Sequence, residues 1–544
     1  MPVKKYGIYL AYGPRVDLRT EGLGRHLAEF LKASRNFEDT KFVIAAPRWL
    51  DVPLRDLLEN FDLDVRDFEV VAPRRPSLLS LLYGAVTAIS DRRKMVEKRI
   101  GRGRLRKVKQ YLYSKTRLMA LSAARSRNPF VAIVSLVLAI IAAPIVLVGA
   151  VVASIVGALL LKPLRRMRLR SRLVLVKRKL NAGGWLTKLN HNAYRLMCDA
   201  EASAVADEAN KLRDVEAWYA PTAFWPEFNR IQGPRLLCVP DVVPVHYSVA
   251  FATEEPNGDR RLHDFKRIEA TIEGGDRFVT YSSEIRDGTL VDRFHIDPDR
   301  VDVIPHGANR LDHLVNITGF ANDDEATDTL SAQHLWGALA KTVNNEHARW
   351  YTSKELGFIF YASQIRPNKN VMTLLRAYHH LRRTKNLPYK LLMTGEWRGS
   401  ADVMRFMNEN RLHDDVLFVR GLSEKELAAC YRLATLAINP SLAEGGMPFT
   451  LTESVSVGTP VVMADIPVSR EIIVDETVAD RTFFDGFDYR DMARAILEAL
   501  SDVGGLYALQ RGFYDRRLAS RSWREVVREY IGALEKCAAS RAGN

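Results

Sequence analysis

From about residue 358 onward the chain alternates short apolar runs with amphipathic helical patterns, and this alternation limits the possible folds more than any other feature. Strands are expected at 358–362, 389–394, 416–419, 436–439 and 461–464. Between them lie segments such as NVMTLLRAYHHLRR, in which Leu374, Leu375, Tyr378 and Leu381 share one helical face. Short strands separated by helices predict a parallel, doubly wound sheet. The N-terminal end repeats the pattern, with a strand at 6–12, a helix at 23–34 and a strand at 41–46. A chain of 544 residues exceeds what one hydrophobic core serves, so at least two domains are expected.

One strand–loop–helix unit carries chemistry. The stretch PSLAEGGMPFTLTESVSVGTPVV, residues 440–462, follows the apolar run at 436–438. Its loop falls at the carboxyl end of a strand, where open α/β sheets bind ligands. Backbone N–H groups at Gly445 and Gly446 allow close approach of a phosphate, and the following helix N-terminus favours negative charge. Glu444 and Glu453 flank this loop as acceptors for sugar hydroxyls. Phosphate-binding backbone between two such carboxylates describes a nucleotide-sugar site.

These residues resemble the donor-binding motif of family 4 retaining glycosyltransferases, which have the two-domain GT-B fold. The resemblance runs from about Lys5 to Glu535, apart from one insertion, and ESVSVGTPVV around Glu453 carries it best. It departs in spacing: eight residues separate the glutamates here, where the family pattern has seven. By resemblance, Glu453 holds the ribose hydroxyls, and Glu444 with the Gly445–Gly446–Met447 backbone holds the sugar. The loop SQIRPNKN (363–370) resembles the family loop whose arginine and lysine grip the donor diphosphate. Lys369 matches the lysine, while Gln364 stands in the arginine's place and Arg366 lies two residues on. In RLLCVPDVVPVHY (235–247), Pro240 replaces a family histidine and Asp241 remains, so either Asp241 or His246 is left to contact the sugar. Gly22 and Gly24, in TEGLGRHLAEFL, fall where related enzymes carry a glycine-rich loop. DRFVTYSSEIRD (276–287) and DVIPHGAN (302–309) resemble the closing elements of the first domain, and the final helix resembles one that returns to it.

Charge sets one segment apart. Between residues 91 and 190, 24 Lys/Arg face two acids, a net of +22, while the remainder carries 55 basic and 63 acidic residues, a net of −8. Within this segment the 34 residues 128–161 hold no charge. That exceeds the ~20 apolar residues of one spanning helix and falls short of two comfortable spans. A single crossing would split the first domain across a membrane, and both basic flanks favour the cytoplasmic side. A hairpin bent near Pro144, held to anionic lipid by its flanks, satisfies both constraints. Aromatics near the basic residues are few, which argues against nucleic acid.

The expected architecture is therefore α/β, with two Rossmann-like doubly wound domains (GT-B) and an inserted hydrophobic helical hairpin. The first domain occupies 1–75 and 191–315, the insertion 76–190, a polar, irregular linker 316–355, the donor domain 356–515 and the returning helix 516–544. The expected activity is transfer of a hexose from a nucleoside diphosphate sugar to a lipid-linked or cell-envelope glycan acceptor, with retention, at the cytoplasmic face of the cell membrane. The alternatives are a non-catalytic nucleotide- or glycan-binding relative, or a membrane scaffold. No cofactor or metal is expected: Asp62-Leu63-Asp64 reads as solvated charge, and the four scattered cysteines suggest free thiols in a reducing compartment.

Overall fold

The computed structural model describes residues 3–14, 16–18, 22–74, 185–243, 258–342, 357–395 and 400–542, with 185–193, 258–262 and 541–542 as backbone alone. The chain divides into two compact units, Met1–Arg74 with Ala202–Asn544, and Arg75–Glu201. The apolar run 128–161, Pro144, His246 and all but the end of the basic insertion lie outside the described residues. Among the described residues no helix is long and apolar enough to cross a membrane.

The larger unit is built on two all-parallel sheets. The first has the order β3-β2-β1-β4-β5-β6-β7. Its strands are β1 (Lys4–Tyr9), β2 (Thr40–Ala45), β3 (Glu69–Val71), β4 (Ala217–Ala220), β5 (Arg235–Cys238), β6 (Arg277–Thr280) and β7 (Val301–Val303). The second has the order β10-β9-β8-β11-β12-β13. It comprises β8 (Phe358–Tyr361), β9 (Lys390–Thr394), β10 (Val416–Val419), β11 (Leu436–Asn439), β12 (Val461–Ala464) and β13 (Phe483–Phe484). Central strands such as FIFY and VVMA are buried at every position, as helices on both faces of a parallel sheet require.

Two differences from the sequence expectation have physical causes. β1 begins at Lys4 rather than residue 6 because its two lysines are paired: Lys5 reaches Glu69 and Asp214, each at 2.8 Å, and Lys4 meets Glu535. The stretch 316–355, expected to be an irregular linker, contains the helix Asp323–Ala340, and the short helix Asp312–Val315 immediately precedes that stretch. The buried face of the longer one uses Thr327, Ser331, Leu335, Ala338 and Leu339, so small polar residues hide its periodicity. Its acidic run, Asp323-Asp324-Glu325, is the favourable charge of a helix N-terminus, and Arg432 pairs with Asp324 and Asp328.

The last helix, Trp523–Ala542, packs against the first sheet's core. Tyr530 is fully buried, with its ring edge-on to Phe30 at 5.4 Å and to Tyr219 at 5.2 Å. The second lobe's chain thus ends inside the first lobe, which holds the two sheets together at one side of the cleft between them.

Candidate functional site

In each sheet the connections reverse direction at one seam, between β1 and β4 and between β8 and β11. Loops at the carboxyl ends of such strands diverge and leave a crevice. In the second lobe these are the loop after β8, leading through the 3-10 turn Pro367–Lys369, and the loop after β11, leading to the helix Phe449–Ser456. They are tied together: Leu442 N–H donates to Asn368 O at 2.8 Å, and Asn368 Nδ2 to Ala443 O at 3.2 Å. Asn370 adopts a left-handed turn (φ 55°) that swings the chain into the helix Val371–Lys385.

This scaffold joins residues 75 positions apart. Lys369 Nζ donates to Glu444 Oε1 at 2.5 Å, both side chains about one-fifth exposed (21% and 19%). Arg366 donates from Nη2 to Gln364 Oε1 at 2.6 Å, so the residue in the arginine's place orients the arginine that follows it. Asp241 comes from the first lobe. Burial raises its carboxyl pKa; the charge of Lys369 opposes that most strongly, Glu444 adds to it and Arg366 opposes it. Lys369, Arg366, Glu444 and Asp241 therefore form one electrostatic group spanning the cleft.

The glycine pair sits differently from the expectation of open backbone. A Cβ on Gly445 would lie 1.7 Å from the Pro240 carbonyl oxygen and 3.1 Å from Asp241 Cβ. One on Gly446 would lie 2.7 Å from Tyr281 Cβ and 3.2 Å from His306 Nε2. Ser282 Oγ donates to Gly445 O at 2.9 Å. The pair is the plane on which the two lobes meet, and Pro240 supplies that contact through its backbone. Met447, with 8% exposure, packs its side chain into the second lobe's core, so only its backbone is placed toward the cleft segment that holds His306.

Glu453 lies inside the helix Phe449–Ser456 and is 4% exposed. Its Oε1 accepts from Arg25 Nη1 at 2.7 Å and from Asn309 Nδ2 at 2.6 Å, both first-lobe residues. Asn309 N–H also donates to Thr452 Oγ1 at 3.2 Å. Arg25 stands in the first turn of the helix Gly22–Ser34. Gly24 is required there because a Cβ would fall 2.0 Å from Leu18 O, whereas Gly22 has open space around it. Sequence reasoning missed Arg25, Asn309, Tyr281, Ser282 and His306. All lie in quoted segments, but nothing in their spacing marks a residue that acts across a cleft.

Two buried imidazoles line the seam. His306 packs on Phe449 (ring centroids 4.4 Å apart) and on Tyr281, and His26 packs on Tyr281 and Trp523. Burial lowers the pKa of His306 to about 4 and of His26 to about 3. Both are neutral when folded and take a proton near the ordinary 6.5 only when unfolded. Stability is therefore complete above pH 6.5 and falls as pH drops from 6.5 toward 4, by about 1.4 kcal/mol per pH unit for each histidine. The urea midpoint is expected to be lower at pH 5 than at pH 7, and His26→Phe to remove roughly half of that difference. An unchanged midpoint between the two pH values would contradict the assignment.

Among the described residues no cluster of His, Cys, Asp or Glu could hold a metal ion. In the Asp-Leu-Asp segment, Asp64 accepts from the backbone N–H of Arg66 at 2.9 Å and pairs with its guanidinium, a local turn cap.

Residues 343–509 match the family model described as "Glycosyl transferases group 1". Curated relatives include a D-inositol 3-phosphate glycosyltransferase of Salinispora arenicola, 24% identical over 337 residues, covering 60% of this chain and 69% of the relative. A sucrose-phosphate synthase of Zea mays is 24% identical over 255 residues, covering 44% of this chain and 23% of that enzyme. Among solved structures, Anabaena Alr3699/HepE in complex with UDP and glucose aligns with a TM-score of 0.54 at 12% identity, covering 98% of this chain and 100% of that one. That likeness establishes the fold: two parallel-sheet, Rossmann-like domains in the GT-B manner.

Proposed function

We propose that the protein is a glycosyltransferase that moves a hexose from a nucleoside diphosphate sugar to a hydroxyl acceptor. The observation that carries this reading is the convergence of Lys369, Glu444 and Asp241 at the seam between the lobes. Support comes from the match of residues 343–509 to the glycosyl transferases group 1 model and from the relatives' printed activities.

In this reading Lys369 and Arg366 face the diphosphate and neutralise charge that grows as the bond from anomeric carbon to phosphate oxygen breaks. Glu444 and Asp241 accept from sugar hydroxyls, and Glu453 from the ribose. Retention follows if the acceptor oxygen bonds to the anomeric carbon on the face the phosphate leaves. The acceptor's proton then passes to the departing phosphate oxygen, so no protein nucleophile is required. The acceptor is a lipid-linked or cell-envelope glycan. Residues 91–190 attach the enzyme to anionic lipid at the cytoplasmic face, through the apolar run 128–161 and its basic flanks.

The test is nucleoside diphosphate release from a panel of nucleotide sugars, with the full chain in anionic liposomes and membrane lipid extract as acceptor. Release with one donor, and inversion or retention read by NMR of the product, would identify the reaction. Diphosphate binding without release from any donor would favour a non-catalytic binding protein. Loss of function on deleting 91–190 with Glu453→Ala harmless would favour a scaffold.

A further inference from the structure

We propose that Arg25 is a positioning residue for donor recognition. From the first lobe it fixes the Glu453 carboxylate in the orientation that accepts the ribose hydroxyls, so ribose recognition is completed only when both lobes meet. This rests on the assignment of Glu453 to the ribose made above.

The geometry is that of an orienting pair. Arg25 Nη1 and Asn309 Nδ2 converge on the same carboxylate oxygen, Oε1, at 2.7 and 2.6 Å. Two donors on one oxygen fix the carboxylate plane, and the second oxygen, Oε2, accepts from neither. An ionised carboxylate has about four acceptor positions, so Glu453 retains capacity for hydroxyl donors after binding both. The site is enclosed: Glu453 is 4% exposed and the Arg25 side chain 22%. A bond to a charged group counts for more in such a setting than at a wet surface.

Arg25 is itself held. Its Nε lies 3.7 Å from Glu424 Oε1, at the start of the helix Glu424–Leu433. Two second-lobe carboxylates thus receive one first-lobe guanidinium. Its planar fork can serve two acceptors at once, which a lysine ammonium does with less directional control. Separating the lobes would leave Glu453 with no first-lobe donor, since Asn309 belongs to the segment that ends that lobe. Ribose affinity and lobe closure are coupled through this one carboxylate.

The experiment is isothermal titration of the full-length chain with UDP, GDP and ADP, followed by the 2′,3′-dideoxy form of whichever binds tightest. Each hydroxyl-to-carboxylate bond is expected to give about tenfold in affinity, so wild type should prefer the ribonucleotide by about 10- to 100-fold. In Arg25→Met the preference should fall to about threefold or less, while affinity for the dideoxy form changes by less than about threefold. Arg25→Lys should recover part of the preference, and Glu453→Gln should resemble Arg25→Met. If Arg25→Met weakens both nucleotides equally, Arg25 is a lobe lock only and the inference fails. If wild type shows no preference, or Glu453→Gln keeps it, the ribose assignment of Glu453 fails and takes the inference with it. The dideoxy titration doubles as a folding control for each variant.

Discussion

Lys369→Ala is expected to lower nucleoside diphosphate release by about 10²- to 10³-fold, with a larger effect on kcat than on donor affinity. The expectation follows from where the charge appears. In the intact donor the diphosphate shares its charge with the glycosidic bond. In the proposed reaction the departing oxygen would gain negative charge beside Lys369 Nζ as that bond breaks, in a cleft where Lys369 is 21% exposed and Asp241 is half-buried. A fixed cation there lowers the transition state more than the ground state, the requirement for an effect on rate. The alternative is that Lys369 serves only to pair with Glu444 at 2.5 Å. Loss of a partly exposed pair would then cost about 1 kcal/mol of stability and leave turnover nearly intact. Steady-state kinetics with thermal denaturation separates the two. Lys369→Arg adds a further check, because it keeps the charge but changes its reach and should be intermediate. A variant retaining a third of wild-type turnover would remove Lys369 from the diphosphate site.

The parts of this protein legible in the sequence are those with local causes. The strands of the second lobe were readable because each is a short apolar run between helical patterns, and 416–419, 436–439 and 461–464 fall where the periodicity places them. Lys369 was singled out by the resemblance of its loop to the family's diphosphate loop and Glu444 by its place in the loop after an apolar run, and the seam between β8 and β11 brings those two loops together. The helix Asp323–Ala340 was hidden by its small polar buried face, and the start of β1 by two lysines whose partners are distant in sequence. Arg25, Asn309 and His306 were not legible for a deeper reason. Their roles exist only once two lobes face each other, and no local pattern encodes that. The same applies to the Pro240 position. Pro240 stands in the place of a family histidine, and its carbonyl is the surface against which Gly445 packs, a contact that the carbonyl of any residue could make.

That contact supports the second large expectation: Gly445→Ala should reduce sugar transfer by about 10²-fold or more while leaving each lobe folded. A methyl group on Gly445 would lie 1.7 Å from Pro240 O and 2.5 Å from its carbonyl carbon. Non-bonded carbon needs about 3.5 Å, and both obstacles are backbone that cannot rotate aside. The lobes must then part by roughly 2 Å at the point where the four charged residues meet. That displacement would break Ser282 Oγ to Gly445 O, now 2.9 Å, and pull Arg25 from Glu453, now 2.7 Å. Misplacement of about 1 Å at a reacting centre already costs about 10²-fold. Stability should change little, because Gly445 belongs to neither lobe's hydrophobic core. Gly532→Ala, in the last helix with open space where the methyl would go, is the matched control and should gain up to about 1 kcal/mol of stability with normal turnover. Small-angle scattering distinguishes the mechanisms: a wider Gly445→Ala particle with unchanged melting temperature means separated lobes. Full turnover in Gly445→Ala would mean that chemistry proceeds with the lobes farther apart than they stand here, and that the cleft geometry described above belongs to a resting state.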